Sequence, residues 1–139
     1  MRPYNLFVSH SWTYDDEYAR LINLLDRFPR FAFKDYSVPF DYPIYDARNS
    51  RELTEAIRRK MTFCDVVILL AGVYSTHSRW INAEIDIALA FVRPKPLVAI
   101  EPRGSLRTSQ IVKQQADCVV GWNSRSIVAA IRKLSSERQ

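Results

Sequence analysis

Residues 75–90, STHSRWINAEIDIALA, have helical periodicity and place a carboxylate where a helix should be apolar. At about 100° per residue, Glu84 falls within an apolar arc, which is formed by Trp80, Ile81, Ile87, Ala88 and Phe91. Asn82 and Asp86 fall on the opposite side, where a surface helix carries its polar groups. A carboxylate among apolar side chains costs free energy unless it is paired, protonated or used in chemistry. The alternative is that Glu84, in the second turn, is near enough to the helix start to reach water.

The elements around this helix alternate between strand-like and helix-like segments. The strongest strand signal is CDVVILLAGV (64–73), which is apolar without alternation, as in a parallel strand buried on both faces. Other strands are predicted at 4–10, 31–38, 96–102 and 117–122, and other helices at 15–28, from Asn49 to Met61, at 105–115 and at 126–134. This order predicts an α/β fold: one flavodoxin-like domain, 1–139, with a doubly wound, five-stranded parallel sheet flanked by helices.

In such a sheet, ligands bind beyond the carboxyl ends of the strands, at the switch point between the first and third strands. The loops that follow these two strands are SHSWTY (9–14) and GVYSTHS (72–78). The second loop leads directly into the helix that carries Glu84. The helical wheel and the expected topology therefore indicate the same place for a site.

Several occupants of that crevice are excluded by the residues present. The chain has only three glycines, Gly72, Gly104 and Gly121, so it contains no Rossmann fingerprint and no phosphate loop. It also lacks the Ser/Thr-rich turn of a flavin-binding flavodoxin. Strand three ends at Ala71 or Gly72 where a phosphoacceptor receiver needs an aspartate. No nucleophile elbow of a serine hydrolase is present.

The composition is that of an ordinary globular domain with a net charge of +5. The basic residues are dispersed, and the densest groups, 58–60 and 132–133, are predicted to be solvated helix faces, so we expect no nucleic-acid partner. We expect a cytoplasmic protein with no membrane contact, because there is neither a signal peptide nor an apolar run of about 18–20 residues. Cys64 and Cys118 are interpreted as buried reduced thiols, and no metal site is expected.

Three motifs in order resemble those of TIR domains. LFVSHSW resembles their first strand, CDVVILLAGVYSTHSRWINAEI their third strand and the Ser-x-Trp-x-x-x-Glu helix, and PLVAIEP their fourth strand. Residues 39–50 occupy the place of the long BB loop. The resemblance covers nearly the whole chain and is closest to the bacterial TIR-like group that includes the ThsB proteins of Thoeris anti-phage defence.

The resemblance implies an enzyme that cleaves the bond between nicotinamide and ribose in NAD+, with Glu84 as its catalytic residue. Such a glutamate contacts the ribose and stabilises the oxocarbenium-like charge that develops as nicotinamide leaves. Trp80 is expected to bind substrate, by lining the pocket or stacking on a ring, although a core tryptophan is an equal alternative. NAD+ is then a substrate, and no cofactor is expected.

The resemblance also implies two groups of substrate-binding residues. One ends the first strand and the other opens the BB loop: Ser9, His10 and Ser11, then Asp35 and Ser37. Ser11 has the alternative role of supporting the loop turn. The loop tyrosines have three open roles, which are stacking on adenine, contacting another protomer, or covering the sheet edge: Tyr36, Tyr42 and Tyr45.

The expected partners are other copies of the chain, through TIR–TIR contacts, and a separate effector reached through an ADP-ribose-derived product. Two other functions remain open. A TIR-like adaptor would associate through residues 36–48 without chemistry, so that Glu84 would be dispensable. A nucleoside ribosyltransferase would process free nucleosides and leave NAD+ intact.

Overall fold

A computed structural model describes residues 3–9, 16–36, 50–70, 79–101 and 110–138. The strands are β1 (Tyr4–Ser9), β2 (Phe33–Asp35), β3 (Val66–Leu70), β4 (Leu97–Ile100) and β5 (Cys118–Val120). The helices are α1 (Asp16–Asp26), α2 (Ser50–Met61), α3 (Arg79–Ala90), α4 (Gln110–Gln115) and α5 (Ser124–Arg138). Strands and helices alternate along the chain, which confirms the predicted α/β fold class.

The strands form one sheet in the order β2-β1-β3-β4-β5, and every neighbouring pair is parallel. From β1, the sheet extends to β2 on one side and through β3 and β4 to β5 on the other. The switch point therefore lies between β1 and β3, as the sequence predicts. There Ser9, the last residue of β1, is in register with Leu69 of β3.

Alternate residues of the central strands pack against two helical layers. Phe7, Val67 and Leu69 pack with side chains of α2, α3 and α4 on one face. Leu6, Val8 and Ile68 pack with side chains of α1 and α5 on the other. All five residues of β3 are buried, because a central parallel strand covered on both faces has no solvent side.

The edges of the sheet differ most from the sequence prediction. The edge strands β2 and β5 have three residues each, because each pairs with one neighbour alone. Cys118, in edge strand β5, is half-buried, whereas Cys64 is buried; both thiols are free. Of the two predicted solvated basic groups, 58–60 and 132–133, four residues are exposed, Arg58, Arg59, Arg132 and Lys133, whereas Lys60 is half-buried.

Helix α5 extends beyond the predicted 126–134 at both ends. Asn123 caps its start, since Asn123 Oδ1 accepts a hydrogen bond of 3.1 Å from the Ser126 N–H. The polar carboxyl-terminal turn gives no apolar periodicity, which is why the pattern ended early. No helix in the described ranges has both the length and the apolar character needed to cross a membrane.

Candidate functional site

Glu84 is buried in the second turn of α3, with 3 % of its surface exposed. The next apolar residues of the helix, Ile85, Ile87 and Ala88, belong to the layer that covers the sheet. On the predicted polar side, Asp86 is exposed and Asn82 is half-buried, so the burial of Glu84, Ile87 and Ala88 agrees with the apolar side of the wheel. The alternative interpretation, in which Glu84 reaches water from the helix start, is wrong. Burial therefore gives this carboxylate a low-dielectric surrounding, where its effect on a nearby cation is larger than in water.

Ser9 is fully buried at the carboxyl end of β1. Side chains alternate along a strand, so Ser9 points to the same face as Phe7, which packs under α2, α3 and α4. Helix α3 contacts β1 on that face. Ser9 and the Glu84 helix thus share one face of the sheet at the switch point, and within the described part of the chain the Ser9 Oγ makes no hydrogen bond.

The carboxyl ends of the strands are also where α3 begins, because the helix follows β3 and runs back along the sheet. Glu84 comes five residues after Arg79, the first helical residue. At 1.5 Å per residue, the carboxylate lies about 7–8 Å along the helix axis from its start. Glu84 is therefore below the edge at which ligands bind in such folds, rather than at its solvent surface.

Asp35 points to the other face of the sheet. The Tyr18 hydroxyl of α1 donates a hydrogen bond to Asp35 Oδ2, and α1 packs on the α5 side. The following residue, Tyr36, packs against the α2–α3 layer instead, and its side chain is half-buried. The structure therefore brings Ser9 but not Asp35 to the Glu84 face, and the role of Asp35 in substrate binding stays a prediction.

The remaining predicted site residues lie outside what the structure describes. His10, Ser11 and Ser37 belong to segments beyond the described ranges, as do the loop tyrosines Tyr42 and Tyr45. Trp80 is the second residue of α3, and its side chain is likewise not described. Among the described residues, no group of three or more His, Cys, Asp or Glu side chains could hold a metal ion.

One feature of the site escaped the sequence analysis, namely the complete burial of Ser9. The available signal was strand alternation, which places Ser9 two residues after Phe7 on a covered face. The resemblance predicts that at least one of Ser9, His10 and Ser11 faces the ligand, and this stays a prediction. The structure places two polar side chains, Ser9 and Glu84, inside the layer between sheet and helices.

The parallel order β2-β1-β3-β4-β5 defines a flavodoxin-like, doubly wound α/β domain, with a buried helix glutamate, Glu84, on the helix that follows central strand β3. A family model described as "Thoeris protein ThsB, TIR-like domain" matches residues 7–107, and the chain belongs to that family. The matched region includes both Ser9 and Glu84, and the match confirms the resemblance inferred from the motifs.

A solved structure titled "Crystal Structure of a prokaryotic SEFIR domain" is also similar to this chain. The two share 15% sequence identity over 97% of each chain, with a TM-score of 0.49. A comparison with curated protein sequences gave no match.

Proposed function

We propose that this protein is an NAD+-consuming enzyme that cleaves the nicotinamide–ribose bond and forms an ADP-ribose-derived signalling nucleotide in bacterial anti-phage defence. The observation that carries the proposal is the burial of Glu84 on α3, the helix that packs against β1 at the switch point. Membership of the ThsB family supports it, because some TIR-like domains are NAD+ hydrolases. A carboxylate kept inside an apolar layer costs free energy that a solvated surface carboxylate does not.

The proposed reaction begins with cleavage of the bond between C1′ of the ribose and the pyridinium nitrogen. The bonding electron pair leaves with nicotinamide, which becomes neutral, and positive charge develops on C1′ and the ring oxygen. Glu84 stabilises this cation, and its low-dielectric surrounding strengthens the interaction. A nitrogen of the adenine base, another acceptor or water then forms the new bond to C1′; a proton is released when the attacking group carries one.

Substrate binding is proposed for the residues that the family resemblance implies: Ser9, His10, Ser11, Asp35, Ser37 and Trp80. TIR-like domains generally associate through TIR–TIR contacts, which supports a homo-oligomer in which a neighbouring BB loop completes the site. The nucleotide product would act on a separate effector. In this proposal NAD+ is the substrate and no cofactor takes part.

The test compares concentrated wild-type protein with Glu84→Gln, which keeps the size of the side chain and removes its charge. Asp86→Asn is the matched control, because it removes the same charge from the exposed side of the same helix. Each protein is incubated with NAD+, and free nicotinamide and all adenine-containing products are measured by chromatography and mass spectrometry. Circular dichroism checks that each variant is folded.

We expect nicotinamide release by the wild type and by Asp86→Asn, and none above background by folded Glu84→Gln. The product mass separates hydrolysed, conjugated and cyclised products. Equal release by Glu84→Gln would remove the proposed catalytic role. If concentrated wild type, with infected-cell extract added, leaves NAD+ intact, the enzyme proposal fails. Cleavage of free nucleosides in that case would favour the ribosyltransferase, and self-association without any cleavage would favour the adaptor.

A further inference from the structure

The exposed large apolar side chains of the described residues are concentrated at the amino ends of the strands. They are Phe63, Leu89, Val92 and Val119. Phe63 lies between α2 and β3, Leu89 in the last turn of α3, and Val92 between α3 and β4. Phe63 is 68 % exposed and Val92 is fully exposed. A single exposed apolar residue is ordinary, but Phe63, Leu89 and Val92, which we call the amino-end patch, lie at one end of the sheet.

Hydrogen bonds fix the backbone of Phe63 although its ring is exposed. The Phe63 carbonyl accepts a hydrogen bond of 3.0 Å from Asn5 Nδ2 of β1. The carbonyls on either side of it, of Thr62 and Cys64, both accept hydrogen bonds from Lys95 Nζ. An exposed ring on a backbone that is already ordered loses less conformational entropy on binding. Phe63 therefore has the properties of a preorganised anchor for a partner.

The two segments that carry the amino-end patch, 58–65 and 89–96, are strongly basic. Their one carboxylate is that of Asp65, which already accepts a hydrogen bond from the Asn5 N–H. Their basic residues are Arg58, Arg59, Lys60, Arg93 and Lys95. The guanidinium carbon of Arg58 lies 4.5 Å from the centre of the Phe91 ring, so basic and aromatic groups are adjacent here. A partner with complementary charge must be acidic, and arginine binds carboxylates in a bidentate geometry.

We propose that the amino-end patch is a docking surface for an acidic segment of another protein. An apolar side chain of that segment packs against Phe63 and Val92, and its carboxylates pair with the arginines nearby. Interfaces are enriched in aromatic residues and arginine, which also supply much of their binding energy. Helix α3 carries Glu84 in its second turn and the patch at its other end, so docking requires no contact with the proposed catalytic carboxylate.

The first experiment is a peptide selection. Random peptides displayed on phage are depleted on the double variant Phe63→Ser/Val92→Ser and then selected on immobilised wild type. We expect the enriched peptides to combine several Asp or Glu residues with an aromatic or large aliphatic residue. Chemical unfolding checks the double variant, whose midpoint should stay near that of the wild type because both side chains are exposed.

The second experiment measures the Kd of one enriched peptide, synthesised with a fluorescent label, by anisotropy. Phe63→Ser should raise the Kd about 10-fold or more, because it removes the anchor. Val119→Ser, at an exposed position of edge strand β5, is the apolar control and should leave the Kd unchanged.

The contribution of charge is measured with the same peptide. Arg59→Gln should raise the Kd about 2- to 5-fold, because it removes one positive charge beside the acidic segment. Arg125→Gln, at an exposed position near the start of α5, is the matched control and should have no effect. Added salt should weaken binding to the wild type, because it screens the attraction between exposed charges.

Three results would overturn the proposal. The first is that no peptide binds in a way that depends on Phe63, or that the enriched peptides are not acidic. The second is self-association in ultracentrifugation that the double variant abolishes, without peptide binding, which would make the patch a contact between copies of this chain. The third is patch-dependent binding to vesicles of phosphatidylserine and phosphatidylcholine, again without peptide binding. None of these measurements uses NAD+, so the docking surface and the enzyme proposal succeed or fail separately.

Discussion

Buried polar side chains have different partners at the two ends of the strands, which we call the amino edge and the carboxyl edge of the sheet. At the amino edge, Lys95 is 4 % exposed, and its Nζ donates hydrogen bonds to the backbone oxygens of Thr62 at 2.8 Å and Cys64 at 2.9 Å. The same ammonium lies 5.0 Å from the centre of the Phe91 ring. Lys95 lies between α3 and β4, and Thr62 and Cys64 lie between α2 and β3, so these hydrogen bonds connect the two loops.

Two aspartates at the amino edge repeat one arrangement. Asp65 precedes β3 and accepts a hydrogen bond of 2.9 Å from the Asn5 N–H of β1, while its own N–H donates to Asn5 O at 2.7 Å. Asp117 precedes β5 and accepts one of 2.8 Å from the Leu97 N–H of β4, while its N–H donates to Leu97 O at 2.8 Å. Each carboxylate extends the strand pairing by a further bond.

The carboxyl edge has the opposite character. There the Ser9 hydroxyl is buried without a hydrogen bond among described residues, and the Glu84 carboxylate is buried in the layer above the same sheet face. Polar side chains at the amino edge hydrogen-bond to the backbone of strands and connections, whereas those at the carboxyl edge lie in the layer where we propose that the chemistry takes place. We therefore expect substitutions of these side chains at the amino edge to change the free energy of unfolding. Substitutions at the carboxyl edge should instead change the proposed activity.

The largest expected effect is on catalysis, at the carboxyl edge. Glu84→Gln should lower the rate of nicotinamide release by about 10²–10³-fold or more, because it removes preorganised charge opposite the developing cation. Initial rates with saturating NAD+, normalised to folded protein, measure the loss. A loss of less than tenfold would mean that the buried carboxylate is not the main catalytic group.

The next effect is on stability, at the amino edge. Lys95→Met should lower the free energy of unfolding by about 2–3 kcal/mol, because two backbone acceptors lose their donor. Urea unfolding measures the change, and Lys133→Met, at an exposed position of α5, is the control. The folded Lys95→Met protein should keep its kcat; a selective loss of kcat without destabilisation would contradict the division between the two edges.

The two aspartates allow a smaller comparison within the amino edge. Asp65→Ala should lower the free energy of unfolding by about 1–2 kcal/mol, and Asp117→Ala by less. Asp65 is half-buried beside central strand β3, whereas Asp117 is exposed beside edge strand β5. Unfolding midpoints of the two variants at pH 7 show which substitution destabilises the protein more. A larger loss for Asp117→Ala would contradict the expectation that the half-buried Asp65 contributes more.

The smallest effect, when it is measured at pH 10, concerns Cys64, because burial raises the pKa of its thiol from 9.0 to about 12. The unfolded chain releases this proton first as the pH rises above 9, so the free energy of unfolding should fall between pH 9 and pH 12. By pH 10 the loss should be about 1 kcal/mol. The free energy of unfolding of wild type and of Cys64→Ala is measured as a function of pH. The variant should be less stable at pH 7, and its free energy of unfolding should fall less steeply above pH 9. Parallel curves would show that the Cys64 thiol does not cause the fall.

The sequence predicted the extent of the central strands well and that of the edge strands β2 and β5 poorly. The run Val66–Leu70 is apolar throughout, which is the signature of a strand covered on both faces, and its environment is strongly determined by its own residues. Edge strand β2 is only Phe33–Asp35 within a predicted 31–38. An edge strand has one pairing neighbour, so its extent depends on that neighbour more than on its own hydropathy.

Periodicity also located Glu84 on the buried side of α3, and strand order placed that helix at the switch point. These are local properties, since they follow from the geometry of a helix or strand and the spacing of apolar residues along it. The sequence by itself therefore determined the α/β alternation, the two-sided burial of the central strands and the position of the carboxylate.

Only the tertiary structure decided which polar groups have partners. The bond from Asn5 to Asp65 joins residues 60 positions apart, and the bond from Lys95 to Cys64 spans 31 positions. The bond from the Tyr18 hydroxyl to Asp35, and the lack of any partner for the Ser9 hydroxyl among the described residues, are of the same kind. A hydrogen bond depends on distances of about 3 Å between atoms that the chain brings together only on folding, and hydropathy along the sequence does not contain that information.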